Sequence, residues 1–205
     1  MPRVDLHIHS AVSDGKLSPI EVVRKSAEAG LTIIALADHD AADGIIPALE
    51  AAKTFLRLNV IPAVEISTDV DKGELHVLGY FIHYTHHGLT TTLRWICDSR
   101  RDRAEGMIAG LGNLGLLVLA HPLTSNDTEK MVIELKASGV VGIEAYYDSY
   151  TIDEVSKLVR FAERYGLITT GGSDYHGVDT TTETLIGGVD VPMESVEELM
   201  ALAER

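Results

Sequence analysis

The 205-residue sequence contains one cysteine, Cys97, so it holds neither an internal disulfide nor a multi-cysteine zinc site. Positive charge is scarce: 17 Lys and Arg stand against 31 Asp and Glu, a formal net charge of −14. A surface of that sign does not coat duplex DNA or an anionic membrane, since both attract net positive potential. No apolar run approaches the roughly 18 residues of a membrane span. The opening Met-Pro-Arg-Val-Asp lacks the apolar stretch of a secretory leader, and a cytoplasmic location is the expectation. Linkers, low-complexity tracts and internal repeats are missing too. What remains is an ordinary globular composition, 45% apolar and 23% charged. It is long enough to bury a core as one domain over 1–205.

Short apolar runs alternate with amphipathic stretches along the chain. Strands are expected at 3–8, 31–37, 59–65, 74–80, 116–120, 140–145 and 167–171. Helices are expected from Ser18-Pro19, a capping residue followed by proline, to about 29, and at 43–55, 89–111, 127–137, 152–165 and 193–203. Gly30, Gly139 and Gly166 suit the ends of three of these helices. Seven mostly apolar strands, mostly alternating with helices, imply a parallel sheet covered by helices. A closed barrel fits better than an open sheet because of where the polar residues fall. His7 and His9, Asp38 and His39, Glu65, His121, Glu144, and Asp174 and His176 each end or follow a strand. In a βα barrel the strand ends surround one mouth.

Six of the nine histidines lie in or just after expected strands. His7 and His9 in Asp5-Leu-His-Ile-His-Ser10 are two apart, hence on one face of a strand, and two such imidazoles can chelate one ion. Alone, that pattern is also common among ordinary polar residues. His39 stands between Asp38 and Asp40, either of which could orient its ring as carboxylates do for metal-binding histidines; the same residues also read as a polar loop with Asp43 as a helix cap. Glu65 is followed by His76 inside Glu74-Leu-His-Val-Leu, where a buried imidazole needs a partner, be it a carbonyl or an ion. Ala120-His-Pro122 and Gly171-Gly-Ser-Asp-Tyr-His-Gly177 complete the set. His83, His86 and His87 sit in a polar connection and read as solvated.

Taken together, Asp-Leu-His-Ile-His-Ser, Asp-His-Asp, Glu65 with His76, Ala-His-Pro and Ser-Asp-Tyr-His-Gly resemble the four motifs of the PHP (polymerase and histidinol phosphatase) family, most of all its small nucleotide-acting phosphoesterases. The resemblance implies a distorted (β/α)7 barrel and three divalent ions. By motif position, His7, His9, Glu65 and Asp174 would hold the first. Glu65, bridging, with His76 and His121 would hold the second. Asp14, His39 and His176 would hold the third. Zn²⁺, Mn²⁺ and Fe²⁺ all suit such mixed ligands.

The implied reaction is hydrolysis of a small phosphate monoester, with inorganic phosphate as product. Three divalent ions, three carboxylates and one hydroxide leave two net positive charges, which match a phosphate monoester dianion. The ions would activate water and hold the phosphoryl oxygens, with Glu65 bridging them. Asp38 would orient His39 or carry a proton. In the 89–111 helix, Arg100 falls on the apolar seam between Cys97 and Ala104. There Arg100, with Arg103 nearby, could fork onto phosphate; surface pairing such as Arg101 with Glu105 is the competing reading. Only 45 positions separate His76 from His121, too few for the helical insertion of larger relatives. Leu123-Thr-Ser-Asn126 stands where those relatives tend to have a basic residue. Two other readings stay open: a non-catalytic metal-binding module, and an amidohydrolase-like C–N or C–O hydrolase. The latter commonly uses a bridging lysine, which no expected strand end supplies.

Overall fold

The computed structural model describes residues 3–70, 73–98, 115–124, 128–137, 139–178 and 183–204. Seven strands form one sheet in chain order: β1 (Val4–Ile8), β2 (Ile33–Leu36), β3 (Asn59–Val70), β4 (Gly73–Tyr80), β5 (Leu116–Leu119), β6 (Val140–Tyr147) and β7 (Ile168–Gly172). The helices are α1 (Pro19–Glu28), α2 (Ile45–Ala52), α3 (His87–Asp98), α4 (Thr128–Ala137), α5 (Ile152–Tyr165) and α6 (Met193–Ala203), with a single 3₁₀ turn at Pro122–Thr124. Among the described residues no helix is long and apolar enough to cross a membrane.

Local chemistry accounts for most of these elements. Ser18 caps α1 through the Glu21 amide while the Glu21 carboxylate returns to Ser18, with Pro19 in the first turn. Thr151 and Glu154 repeat the arrangement at α5. Helix α2 is shorter than expected: it starts after Gly44 with no side-chain cap, and Asp43 does not serve as one. Helix α3 starts at His87, two residues early; the 99–111 part of the expected helix lies outside the described residues.

Strand direction departs from a wholly parallel expectation. β1–β2–β3 and β5–β6–β7 pair in parallel, but β4 runs antiparallel to both of its neighbours. A two-residue connection between β3 and β4 leaves no room for a crossover helix, so the chain must turn back as a hairpin. This extends β3 five residues past Glu65, which therefore lies within the strand.

Alternate residues of five strands converge in one cluster: Val4 and Leu6, Ala35 and Ala37, Ile61 and Ala63, Leu78 and Tyr80, Val118 and Ala120. With a side-chain period of two these mark one face of the sheet, and strands so far apart in order touch there only because the sheet curls. Val196 and Leu199 of α6 join this inner cluster. The opposite face is covered by α1 and α2 beside β1 and β2, and by α3, α4 and α5 beside β3 to β6. No paired ladder joins β1 to β7 among the described residues. They meet through a bridge between Ile8 and Tyr175 and through the amides of Asp174 and His9, which donate to His7 O at 2.9 Å and Tyr175 O at 3.0 Å. At this seam a Cβ on Gly172 would overlap the His7 backbone, so only glycine allows the approach.

Candidate metal centre

The inner face carries its polar residues at one end. Continuing the inward register by two residues leads from Ala37 to His39, from Ala63 to Glu65 and, because β4 is reversed, from Leu78 back to His76. The reversal explains how a histidine four residues into its strand reaches a mouth formed elsewhere by strand ends. His7 and His9 arrive on β1 and just after it, His121 after β5, and Asp174 and His176 after β7.

These side chains form three overlapping groups. In the first, His7 Nε2 and His9 Nε2 are 3.1 Å apart. They lie 3.0 and 3.1 Å from Glu65 Oε2 and 3.3 and 3.0 Å from Asp174 Oδ1. In the second, Glu65 Oε1 is 3.0 Å from His76 Nδ1 and 3.4 Å from His121 Nε2, and these two nitrogens are 3.2 Å apart. In the third, Asp14 Oδ2 lies 3.3 Å from His176 Nε2 and 3.7 Å from His39 Nε2, with Asp14 Oδ1 3.6 Å from His9 Nδ1. The nine residues expected to hold metal thus come together. Close approach of Gly15 to Ser10 folds the turn that carries Asp14.

The donor set fits divalent ions. Metal bonds to nitrogen and oxygen of roughly 2.0–2.2 Å set adjacent ligand atoms about 3.0–3.5 Å apart, the spacing seen in the first two groups. Donors of His7, His9, Glu65 and Asp174 all lie within 4.8 Å of one another, as do those of His9, Asp14, His39 and His176. His9 Nδ1 is buried with no hydrogen-bond partner, a costly condition that a bound ion would relieve.

Electrostatics points the same way. Burial pushes the His7 imidazolium pKa down, but Glu65, Asp174 and Glu144 outweigh it and hold the pKa well above the ordinary value. His9 follows the same balance and reaches about 9. Burial dominates for His39, with its pKa pulled down to about 4. Burial raises the carboxyls of Glu65 and Asp174, yet His7 leads the partners that depress both below the usual carboxylate range. The buried acids thus favour the protonated forms of His7 and His9, whose protons divalent cations would displace.

Several of the donors also have a second atom fixed from outside. Glu144 Oε1 lies 3.0 Å from His7 Nδ1, and its Oε2 accepts from the His121 amide at 2.8 Å. Tyr147 donates to Asp174 Oδ2 at 3.0 Å. Ser67 Oγ lies 2.9 Å from His39 Nδ1, and the carbonyl of Asp174 lies 2.8 Å from His176 Nδ1. Glu183 gathers the amides of His176, Gly177 and Val178. The ring of His39 is therefore held by Ser67. Asp38 instead accepts from the Ser10 amide and hydroxyl at 2.7 Å each and from Ser13 Oγ at 2.9 Å. The Asp40 carboxylate accepts from the Ser67 amide at 3.2 Å.

Sequence reasoning placed Glu144 at the mouth as an acid ending a strand without giving it a role, and did not single out Ser67, Tyr147 or Glu183. Glu144 stood out as an acid at the end of an apolar strand; the others carry no such signal. His83, His86 and His87 are exposed, as expected. Arg100 and Arg103 lie outside the described residues.

Known proteins share this architecture. Over 253 aligned residues the chain is 24% identical to a 3',5'-nucleoside bisphosphate phosphatase of Chromobacterium violaceum, covering 86% of this chain and 88% of the relative. It is 26% identical over 247 residues to a 5'-3' exoribonuclease of Haemophilus influenzae, covering 85% and 90%. A crystal structure from Bifidobacterium adolescentis, assigned as a metal-dependent phosphoesterase, superposes with a TM-score of 0.82 at 19% identity, covering 100% of this chain and 99% of that one. The PHP domain model matches residues 5–170. That match runs from β1 into β7 and so takes in the whole strand order, on which ground the chain belongs to the PHP domain family.

Proposed function

We propose that the protein is a metal-dependent phosphoesterase that hydrolyses phosphate monoesters of nucleotides or oligonucleotide ends, releasing inorganic phosphate. The observation that carries this reading is the convergence of His7, His9, Glu65 and Asp174, from three distant parts of the chain, on one point with the spacing of a coordination shell. The nucleotide-directed names of the two relatives support the substrate class.

Three divalent ions, Zn²⁺, Mn²⁺ or Fe²⁺, complete the proposal. His7, His9, Glu65 and Asp174 hold the first, Glu65, His76 and His121 the second, and Asp14, His39 and His176 the third. When bound, such ions supply an activated water and stabilise negative charge on phosphorus. The chain does the rest. Glu65 turns one oxygen to each of two positions and fixes their separation. Glu144 and Ser67 set the orientation of His7 and His39. Asp38 anchors the Ser10–Ser13 segment that presents Asp14, so its role is positioning. Arg100 and Arg103 remain the proposed phosphate contacts. Water adds to phosphorus as the ester oxygen leaves, giving an alcohol and phosphate.

Release of inorganic phosphate from a panel of nucleotide and sugar monoesters with Mn²⁺, Zn²⁺ or Fe²⁺ tests the reading. Turnover with at least one ion is expected, and Glu65→Ala abolishes it. No turnover with any ion across the panel overturns the assignment.

A further inference from the structure

We propose that a cleft beside the metal centre binds the nucleobase of the substrate. The proposal rests on the phosphoesterase reading and extends it from the phosphate to the rest of the ligand. The cleft has a volume of about 400 Å³ and lies between the end of β6, the start of α5 and the 188–190 segment. A volume of that size belongs to small-molecule sites. It adjoins the metal centre through Tyr147, which lines the cleft, donates to Asp174 at 3.0 Å and sets its ring 5.4 Å from that of His121. Tyr147 thus borders both the cleft and the place where a phosphate at Asp174 would lie.

The chemistry of the walls selects the occupant. Tyr147 and Tyr150 stand with ring centroids 5.2 Å apart. Each hydroxyl already has a partner in the chain: Tyr147 donates to Asp174, and Tyr150 accepts from the Leu123 amide at 2.9 Å. Ring faces and edges are the main surface the two tyrosines offer. Ile152, 86% exposed, adds apolar surface that nothing among the described residues covers. Asp148 and Asp190 bring two carboxylates, which repel a second phosphate and accept hydrogen bonds from exocyclic amines. A flat, uncharged, amine-bearing ring meets all of these conditions. A bare sugar lacks the stacking surface, and an anionic group is turned away.

The test compares kcat/KM for adenosine 5'-monophosphate and ribose 5-phosphate in the Mn²⁺-loaded protein. Both carry the same phosphate, and only one carries a base. Aromatic stacking of one base leads us to expect a preference on the order of tenfold for the nucleotide. Ile152→Asp, an exposed change at the first residue of α5 where an acid suits the helix, removes the preference by lowering turnover of the nucleotide alone. Tyr150→Phe keeps the preference and Tyr150→Leu loses it. Independently of turnover, saturation-transfer NMR on the metal-free protein shows adenosine base protons in contact, with the signal lost in Ile152→Asp. Equal kcat/KM for the two substrates, an Ile152→Asp effect on both alike, or an unchanged adenosine signal in that variant overturns the cleft as the base site and leaves the phosphoesterase standing. Hydrolysis of neither substrate, with no turnover of the wider monoester panel by any of the three ions, removes both.

Discussion

At the scale of single residues, the centre depends on groups that never need to touch a metal. Glu144 is fully buried and joins His7 on β1 to the backbone of His121 beyond β5. Such outer partners fix tautomer and ring direction, and losing one typically weakens metal affinity about 10–100-fold. Glu144→Gln is expected to fall in that range by chelator competition, because an amide cannot accept from both partners with equal oxygens. Unchanged affinity would show that Glu144 only fills space. Backbone strain gathers here too: Asp40, His121 and Asp174 are three of the four non-glycine residues with positive φ among those described. Each is a conformation that costs roughly 1–3 kcal/mol and persists where surrounding contacts impose it. The histidines and acids were legible in the sequence because six histidines fell in or just after expected strands. Ser67 and Tyr147 were not, because a hydroxyl that orients a donor has no spacing of its own to announce it.

At the scale of elements, the Ser18-Pro19 start, the glycines past helix ends and the apolar runs made α1, α5 and all seven strands readable. Strand direction was not, since an apolar run reads the same along either direction and the shortness of the β3–β4 connection was obscured by the length of β3. The reversal matters because it brings His76 opposite Ser67 in the hairpin register, beside Glu65. The β1–β7 contact is equally demanding. Gly172→Ala places a methyl group against the His7 backbone, and overpacking of this kind costs about 1–3 kcal/mol or more. The expected outcome is a lower melting temperature together with weakened metal binding, as His7 is displaced. Calorimetry and a chelator assay read the two effects, and a variant with wild-type values in both would contradict the tight seam.

For the whole molecule, proton and metal equilibria are linked. His9 has a folded-state pKa of about 9 against an ordinary 6.5. In the metal-free protein its contribution to stability is therefore fully present below about pH 6.5 and lost as pH rises through 9. The melting temperature of metal-free protein is expected to decline over that interval, and the metal-loaded form, its imidazoles already deprotonated, lacks the decline. Metal uptake near pH 7.5 releases protons measurable in weakly buffered solution, and affinity rises with pH up to about 9. A melting temperature independent of pH from 6.5 to 9 in the metal-free protein would contradict the charged state inferred for the cluster.

The seam between first and last strands has one more consequence. Donors from β1 and from the segment after β7 face each other across the least paired junction of the sheet, so an ion held by both acts as a cross-link between the two ends of the fold. It closes a loop running from His9 to Asp174, nearly the whole described chain, and long closures are those that restrict the unfolded chain most. Occupancy of the centre thus governs how readily the outer strands part, and with it the exposure of the chain to proteolysis, apart from any chemistry performed there.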